Sequence, residues 1–187
     1  MFNFYKGEKN KTQPMYDFGC LMLYPSSMIS TYITSYAKSN IDNRDLVSDG
    51  FEPTPHITIL YGFDLDFDFR KLNRFLKNIS LPISVSVNNI DIFECRDSDK
   101  NYDVVKMSVK PNKTLSKLHN DLKNAFDIET YYPNYNPHIT LAYCKSGCGK
   151  YYINNDFKLD LNVNDIVYAA NNKQYVYLPY SNTWCQF

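Results

Sequence analysis

Apolar and polar positions along the chain fall into short blocks whose period switches repeatedly between strand-like and helix-like. Residues 1–17 mix charged, amide and aromatic side chains without a sustained period, which predicts a mobile arm ahead of one ordered domain over residues 18–187. Gly19 to Tyr24 is a short apolar run of the kind a buried strand carries, and Pro25-Ser26 offers a helix start directly after it. Met28, Ile29, Tyr32, Ile33, Tyr36 and Ala37 then recur at helical spacing and predict one apolar stripe. Residues 40–54 are rich in Asn, Asp and Ser, with Gly50 and Pro53, and read as a loop. Pro55 to Tyr61 is β-branched, strand-like, and ends at Gly62.

The second half repeats this rhythm. Asp64, Asp66 and Asp68 lead into a helix with the stripe Phe69, Leu72, Phe75, Leu76 and Ile79, where acidic groups suit the positive N-terminal end. Ile83, Val85 and Val87 alternate with serines, and Ile90 and Ile92 follow after a bulge or turn at Asn88-Asn89. Residues 96–102 form a polar connector to a strand at Val104 to Val109, so a hairpin is expected. Pro111-Asn112 precedes a helix carrying Leu115, Leu118, Leu122, Ala125 and Phe126 on one face. After a Tyr/Asn/Pro loop comes Pro137 to Tyr143, then a Gly/Cys loop with a helical turn near Tyr151. Strands are predicted at 157–161, 166–170 and 174–178. The order strand, helix, loop, Pro-His-Ile-Thr strand thus occurs twice, from Gly19 to Tyr61 and from Val104 to Tyr143.

Composition narrows the functional classes. The chain has 187 residues with 20 basic and 20 acidic side chains, a balance that disfavours a protein coating long nucleic acid. Its length suffices for a core without disulfide or metal staples. Five scattered cysteines, an odd number, fit a reducing compartment, and the expected location is cytoplasmic. No apolar run approaches the ~20 residues that span a bilayer, so no membrane partner is expected.

The chemistry concentrates in two tetrapeptides. Of three histidines, His56 and His138 stand in identical Pro-His-Ile-Thr contexts 82 residues apart. On a strand, residues two apart share a face. Each motif therefore presents an imidazole with a hydroxyl, His56 with Thr58 and His138 with Thr140, while Ile57 and Ile139 point the other way. Pairing of the two repeats about a pseudo-two-fold axis would bring all four polar groups onto one small anion, with a phosphodiester as the natural guest. One imidazole can take a proton from the attacking oxygen while the other protonates the leaving oxygen, in either assignment. The threonine hydroxyls can bind the nonbridging oxygens as charge develops. This scheme uses no metal and no cofactor.

These paired motifs resemble the 2H phosphoesterase superfamily, defined by two His-x-Thr/Ser motifs. The resemblance covers Gly19 through the C-terminal strands. It implies an α+β, bilobal fold: two pseudo-symmetric antiparallel-sheet lobes, helices outside, and a cleft lined by His56, Thr58, His138 and Thr140. Within the superfamily, the Gly-Cys-Leu-Met-Leu-Tyr opening, the Pro-His-Ile-Thr-Ile-Leu-Tyr-Gly strand and the compact size look like the phage anti-CBASS nucleases. That likeness implies a metal-independent phosphodiesterase acting on 3′,5′ bonds of cyclic di- or oligonucleotide signals in the host cytoplasm, through attack by the 2′-hydroxyl. The same motifs also serve enzymes of linear RNA ends and of 2′,5′-oligoadenylates, and a noncatalytic cyclic-nucleotide sponge would use the same cleft.

Other candidates are weaker in the sequence. Tyr24, at the end of the first strand, and Trp184, in the aromatic C-terminal stretch, are placed to stack a base, with packing the alternative for each. Tyr61 and Tyr143 follow the motifs and read as structural. His119 sits at the edge of an apolar helix face and also reads as structural. Cys144 and Cys148 lack the second ligand pair a closed zinc site needs. The Asp-rich stretches at 64–68 and 97–103 lack the glycine and glutamate of a calcium loop.

Overall fold

The computed structural model describes residues 18–64, 67–97, 100–110, 112–128, 134–170 and 175–178; the arm expected over 1–17 and Trp184 lie outside them. In chain order the elements are β1 (Gly19–Pro25), α1 (Ser27–Asn40), β2 (Leu46–Phe51), β3 (Ile57–Phe63), α2 (Phe69–Leu76), β4 (Ile83–Asp97), β5 (Lys100–Val109), α3 (Lys113–Phe126), β6 (His138–Lys145), β7 (Leu159–Ala169) and β8 (Tyr175–Leu178). Short 3-10 turns at Asn43–Asp45 and Gly149–Tyr152 complete the list, the second at the place expected near Tyr151.

Each α-helix begins at a side chain that satisfies otherwise orphaned amides. Ser26 Oγ accepts from the Ile29 amide, one Asp68 oxygen from the amides of Arg70 and Lys71, and Asn112 Oδ1 from those of Thr114 and Leu115. Thus the last of the three aspartates before α2 acts as its cap. The buried stripes are Leu72 and Leu76 on α2, and Leu115, Leu118, His119 and Leu122 on α3. The α1 stripe is narrower than its spacing predicts. Ile33 and Ala37 are buried, whereas Met28 and Tyr32 are 75% and 47% exposed, because at about 100° per residue they lie on the flank of the helix, away from the line through Ile29, Ile33 and Ala37.

All strand pairings are antiparallel, in the order β1-β3-β6-β5-β4-β7-β8, with β2 added to β6. The class is the expected α+β. β3 and β6, the two motif strands, meet at the centre through Ile57↔Ile139. On the far side β7 joins both halves: Val163–Ala169 pairs with β1 and Leu159–Val163 with β4. The two repeats are also interlocked by their helices. α1, from the first repeat, packs on β6 as well as β1 and β2, and α3, from the second, packs on β3. Neither half can bury its motif strand without the other.

Two differences from the expected elements have a common origin in long-range pairing. β2 lies inside the stretch that reads as a loop, since its polar centre is held in a strand by the pairing of its ends with β6, Leu46 with Cys144 and Phe51 with Ala142. The separate strands expected at 157–161 and 166–170 are one strand, β7, whose polar middle is spanned by its two partners. The Gly/Cys loop before Tyr151 packs on β5: the Gly149 amide donates to Asp103 Oδ2 at 2.9 Å, and Asp103 is fully buried against Arg96, 2.6 Å away. A Cβ at position 149 would lie 2.6 Å from Asp103 Cβ, so only glycine fits there.

The motif strands carry matched irregularities. Leu21↔Leu60 is followed by Met22↔Thr58, leaving Ile59 unopposed; Val105↔Ala142 is followed by Lys106↔Thr140, leaving Leu141 unopposed. A bulge therefore sits one residue past the threonine in both repeats, bending each strand where its side chains must be aimed. The carbonyl freed at each bulge is capped differently. That of Leu141 accepts the Glu52 amide at 3.0 Å, and that of Ile59 accepts His119 Nδ1–H at 2.7 Å. Tyr135 stacks on the His119 ring, 4.3 Å between centroids, and donates its hydroxyl to the Thr58 carbonyl at 3.1 Å. His119 is thus a structural tie between α3 and β3. Replacing it by leucine keeps the bulk but strands a buried carbonyl, with an expected loss of about 1–3 kcal/mol in urea unfolding; Tyr135→Phe should lose about 0.5–1.5 kcal/mol. Unchanged unfolding midpoints in both variants would remove this role.

Candidate active site

The central pair Ile57↔Ile139 determines what faces outward. Extending that register by one residue each way sets His56 opposite Thr140 and Thr58 opposite His138. In an antiparallel pair, opposed residues share a face and neighbours along the strand alternate. Both isoleucines are fully buried in the helix-covered core, and all four polar side chains are half-buried on the other face. The structure brings His56, Thr58, His138 and Thr140 together across the pseudo-two-fold axis.

The imidazoles are held alike. His56 Nδ1 lies 2.7 Å from the Thr54 carbonyl and His138 Nδ1 lies 2.8 Å from the Asn136 carbonyl, in each case the residue two positions before it. A carbonyl oxygen only accepts, so Nδ1 carries the proton in both rings. In the neutral ring this leaves Nε2 with its lone pair as a proton acceptor; in the imidazolium Nε2–H is a donor. One scaffold therefore presents either partner of an acid–base pair at the same atom.

The surroundings of the two rings differ. Tyr24, half-buried on β1, lies against His56, with 5.6 Å between ring centroids and a 35° tilt. Cys20 lies beneath Thr58, its Sγ 3.9 Å from Oγ1, and burial pushes its thiol up to about 12, which makes it an inert wall. On the other side Phe93 of β4 meets His138 edge-on, 4.9 Å between centroids. Lys106 of β5, opposite Thr140, is 2% exposed; its Nζ donates to Ser108 Oγ at 2.8 Å and lies 4.4 Å from the Phe93 centroid. Ser108 in turn stands opposite His138. Burial, above all, holds the His138 imidazole below the ordinary histidine range; the Asn136 carbonyl opposes this, and the charges of Lys106 and His56 add to it.

Lys106, Ser108 and Phe93 are absent from the site read in the sequence. Their signal was one lysine inside the apolar run Val104 to Val109, in step with Ser108 and out of step with its buried neighbours. Among the described residues no group of three histidine, cysteine or acidic side chains converges as metal ligands. A hollow of about 470 Å³ between β4 and β7, lined by Ser84, Ser86, Lys110, Asn112, Asp160 and Asn162, contains none of the motif residues. Two of its polar pairs, Ser84 with Asn162 and Ser86 with Asp160, already satisfy each other.

Known proteins share this architecture. Escherichia coli LigT, in its complex with 3′-AMP, superposes with a TM-score of 0.58 over 87% of this chain and 95% of its own, at 16% identity. Thermus thermophilus TT0787 gives 0.57 over the same shares at 14% identity, and Kluyveromyces marxianus Usb1 gives 0.55 over 88% and 98% at 8% identity. In sequence, a Geobacillus kaustophilus protein named as a phosphoesterase is 25% identical over 126 residues, which is 65% of this chain and 66% of the relative's length. With both His-x-Thr strands paired as described, and a family model matching residues 27–152, this chain belongs to the 2′-5′ RNA ligase superfamily, the 2H phosphoesterases.

Proposed function

We propose that the protein is a phosphodiesterase that opens cyclic di- or oligonucleotide signals at a 3′,5′ bond, and that it serves a phage as a counter-defence enzyme in the cytoplasm of its host. The observation that carries the phosphodiesterase reading is the matched pair of Nδ1–carbonyl hydrogen bonds, which leaves both Nε2 atoms on one face with two threonine hydroxyls. The 2′-oxygen attacks phosphorus while one Nε2 accepts its proton. The bond from phosphorus to the 5′-oxygen breaks as the other Nε2–H protonates that oxygen. The product is a linear chain ending in a 2′,3′-cyclic phosphate and a free 5′-hydroxyl. Thr58 and Thr140 donate to the nonbridging oxygens as charge builds on them. Tyr24, beside His56, stacks one base; Trp184, in the stretch outside the described residues, is the second stacking residue proposed.

The reading of a small guest is supported by the balanced charge of the chain, since a long polyanion would call for a basic surface. The family's own description favours a second reading, action on linear RNA ends or 2′,5′-linked oligonucleotides. A panel of cyclic and linear substrates, incubated in EDTA and resolved by mass spectrometry, separates the two. Cyclic ribonucleotides should be linearised. Turnover of linear substrates alone would favour the second reading, and cyclic ligand recovered intact after denaturation would identify a sponge.

His56→Ala and His138→Ala should each slow cleavage about 10²–10⁴-fold while retaining some substrate binding, because each removes one proton transfer. Deoxyribose analogues should resist cleavage, and rapid turnover of them would exclude attack by the 2′-hydroxyl. Tyr24→Ala should raise KM by about 5- to 150-fold, the equivalent of ~1–3 kcal/mol of base stacking. An unchanged KM would leave Tyr24 only a packing role against His56.

A further inference from the structure

The two motifs are alike, but the strands beside them are not. At the same step from the bulge, β5 sets Lys106 opposite Thr140, whereas β1 sets Met22 opposite Thr58. A pseudo-symmetric site thus carries an ammonium on one side and a thioether on the other. A buried ammonium is costly unless it is paired. Its nearest carboxylate, Asp91 of β4, is 3.5 Å away with a side chain 45% exposed, so compensation is partial. The remaining contacts lead to His138: Phe93 touches both the ammonium and the imidazole, and Ser108, which accepts from the ammonium, stands opposite the histidine.

We propose that Lys106 is a positioning residue that makes the two histidines chemically unequal, directing His138 to accept the proton of the attacking oxygen and His56 to donate one to the leaving oxygen. The assignment rests on the phosphodiesterase reading above. The groups acting on His138 are Lys106 from β5, His56 from β3 and the Asn136 carbonyl before β6, with Asp91 from β4 tempering Lys106. Burial already disfavours a charge on the His138 ring, and the Lys106 ammonium beside it, itself pulled below the ordinary lysine range by burial, adds to that, so His138 rests neutral with Nε2 unprotonated. The first-repeat side has no such charge at the equivalent position, where Met22 stands opposite Thr58.

The test follows the imidazole signals of His56 and His138 by NMR through a pH titration of the full chain, in the wild type, Lys106→Met and Asp91→Asn. Methionine already fills the equivalent position in the first repeat, and Asp91 is exposed enough to be changed without disturbing the core. Removing the ammonium should move the His138 midpoint to higher pH, removing its counter-charge should move it lower, and His56 should move less in both. A His138 midpoint that stays fixed in both variants overturns the proposal, as does an equal shift at His56. In turnover, the acid limb of the Lys106→Met pH profile should shift to higher pH by the interval seen in the NMR titration. Below it the variant should lose about tenfold per pH unit, and the two curves should meet above it. A uniform loss at all pH values with an unmoved limb would make Lys106 a direct phosphate contact and overturn its positioning role. Absence of turnover by the wild type on every phosphodiester would sink the phosphodiesterase reading itself, a result the NMR titration does not depend on.

Discussion

The arrangement of this molecule depends on one antiparallel contact, Ile57 against Ile139, at the centre of the sheet. Because strand side chains alternate, burying those two isoleucines under the helices forces the histidine and threonine on either side of each to the opposite face. A slip of one residue would exchange the faces, placing imidazoles in the core and isoleucines in the cleft. Burial of two fully enclosed isoleucines is worth about 3–6 kcal/mol together, a large fraction of what holds a domain folded. The hydrophobic preference and the chemistry of the site are therefore specified by the same register.

Around that contact the chain builds redundancy. α1 and α3 each cover the motif strand of the other repeat, and β7 hydrogen-bonds to both halves. The matched bulges past Thr58 and Thr140 bend both strands, and the freed carbonyls find donors in Glu52 and His119. Each histidine is then tied to a carbonyl of its own chain, so the rings need no reorientation when a substrate arrives. Symmetry places the groups, and the neighbours differentiate them: Tyr24 and Met22 on one side, Phe93 and Lys106 on the other.

Much of this was legible in the order of residues. The repeated Pro-His-Ile-Thr motif announced the site because the two faces of a strand have opposite needs, and the stripes of α2 and α3 matched the faces they bury. What escaped was whatever depends on partners distant in sequence. β2 has a polar centre and is held as a strand by β6, the polar middle of β7 is carried by β1 and β4, and Met28 and Tyr32 recur near the spacing of buried residues yet lie exposed on the flank of α1. Lys106 reads locally as an interruption of an apolar strand. Only the pairing of β5 with β6 and β4 shows that its side chain shares the face of the two histidines and two threonines.

The central claim is that both histidines and both threonines act on one phosphorus. A crystal structure of the protein with a ribonucleoside and vanadate, which mimics the five-coordinate phosphorus, tests it most directly. The account predicts a single vanadate on the pseudo-two-fold axis, with the Nε2 atoms of His56 and His138 at opposite apical oxygens and the hydroxyls of Thr58 and Thr140 on equatorial ones. Vanadate held by one motif alone, with the other histidine out of reach of it, would contradict the account.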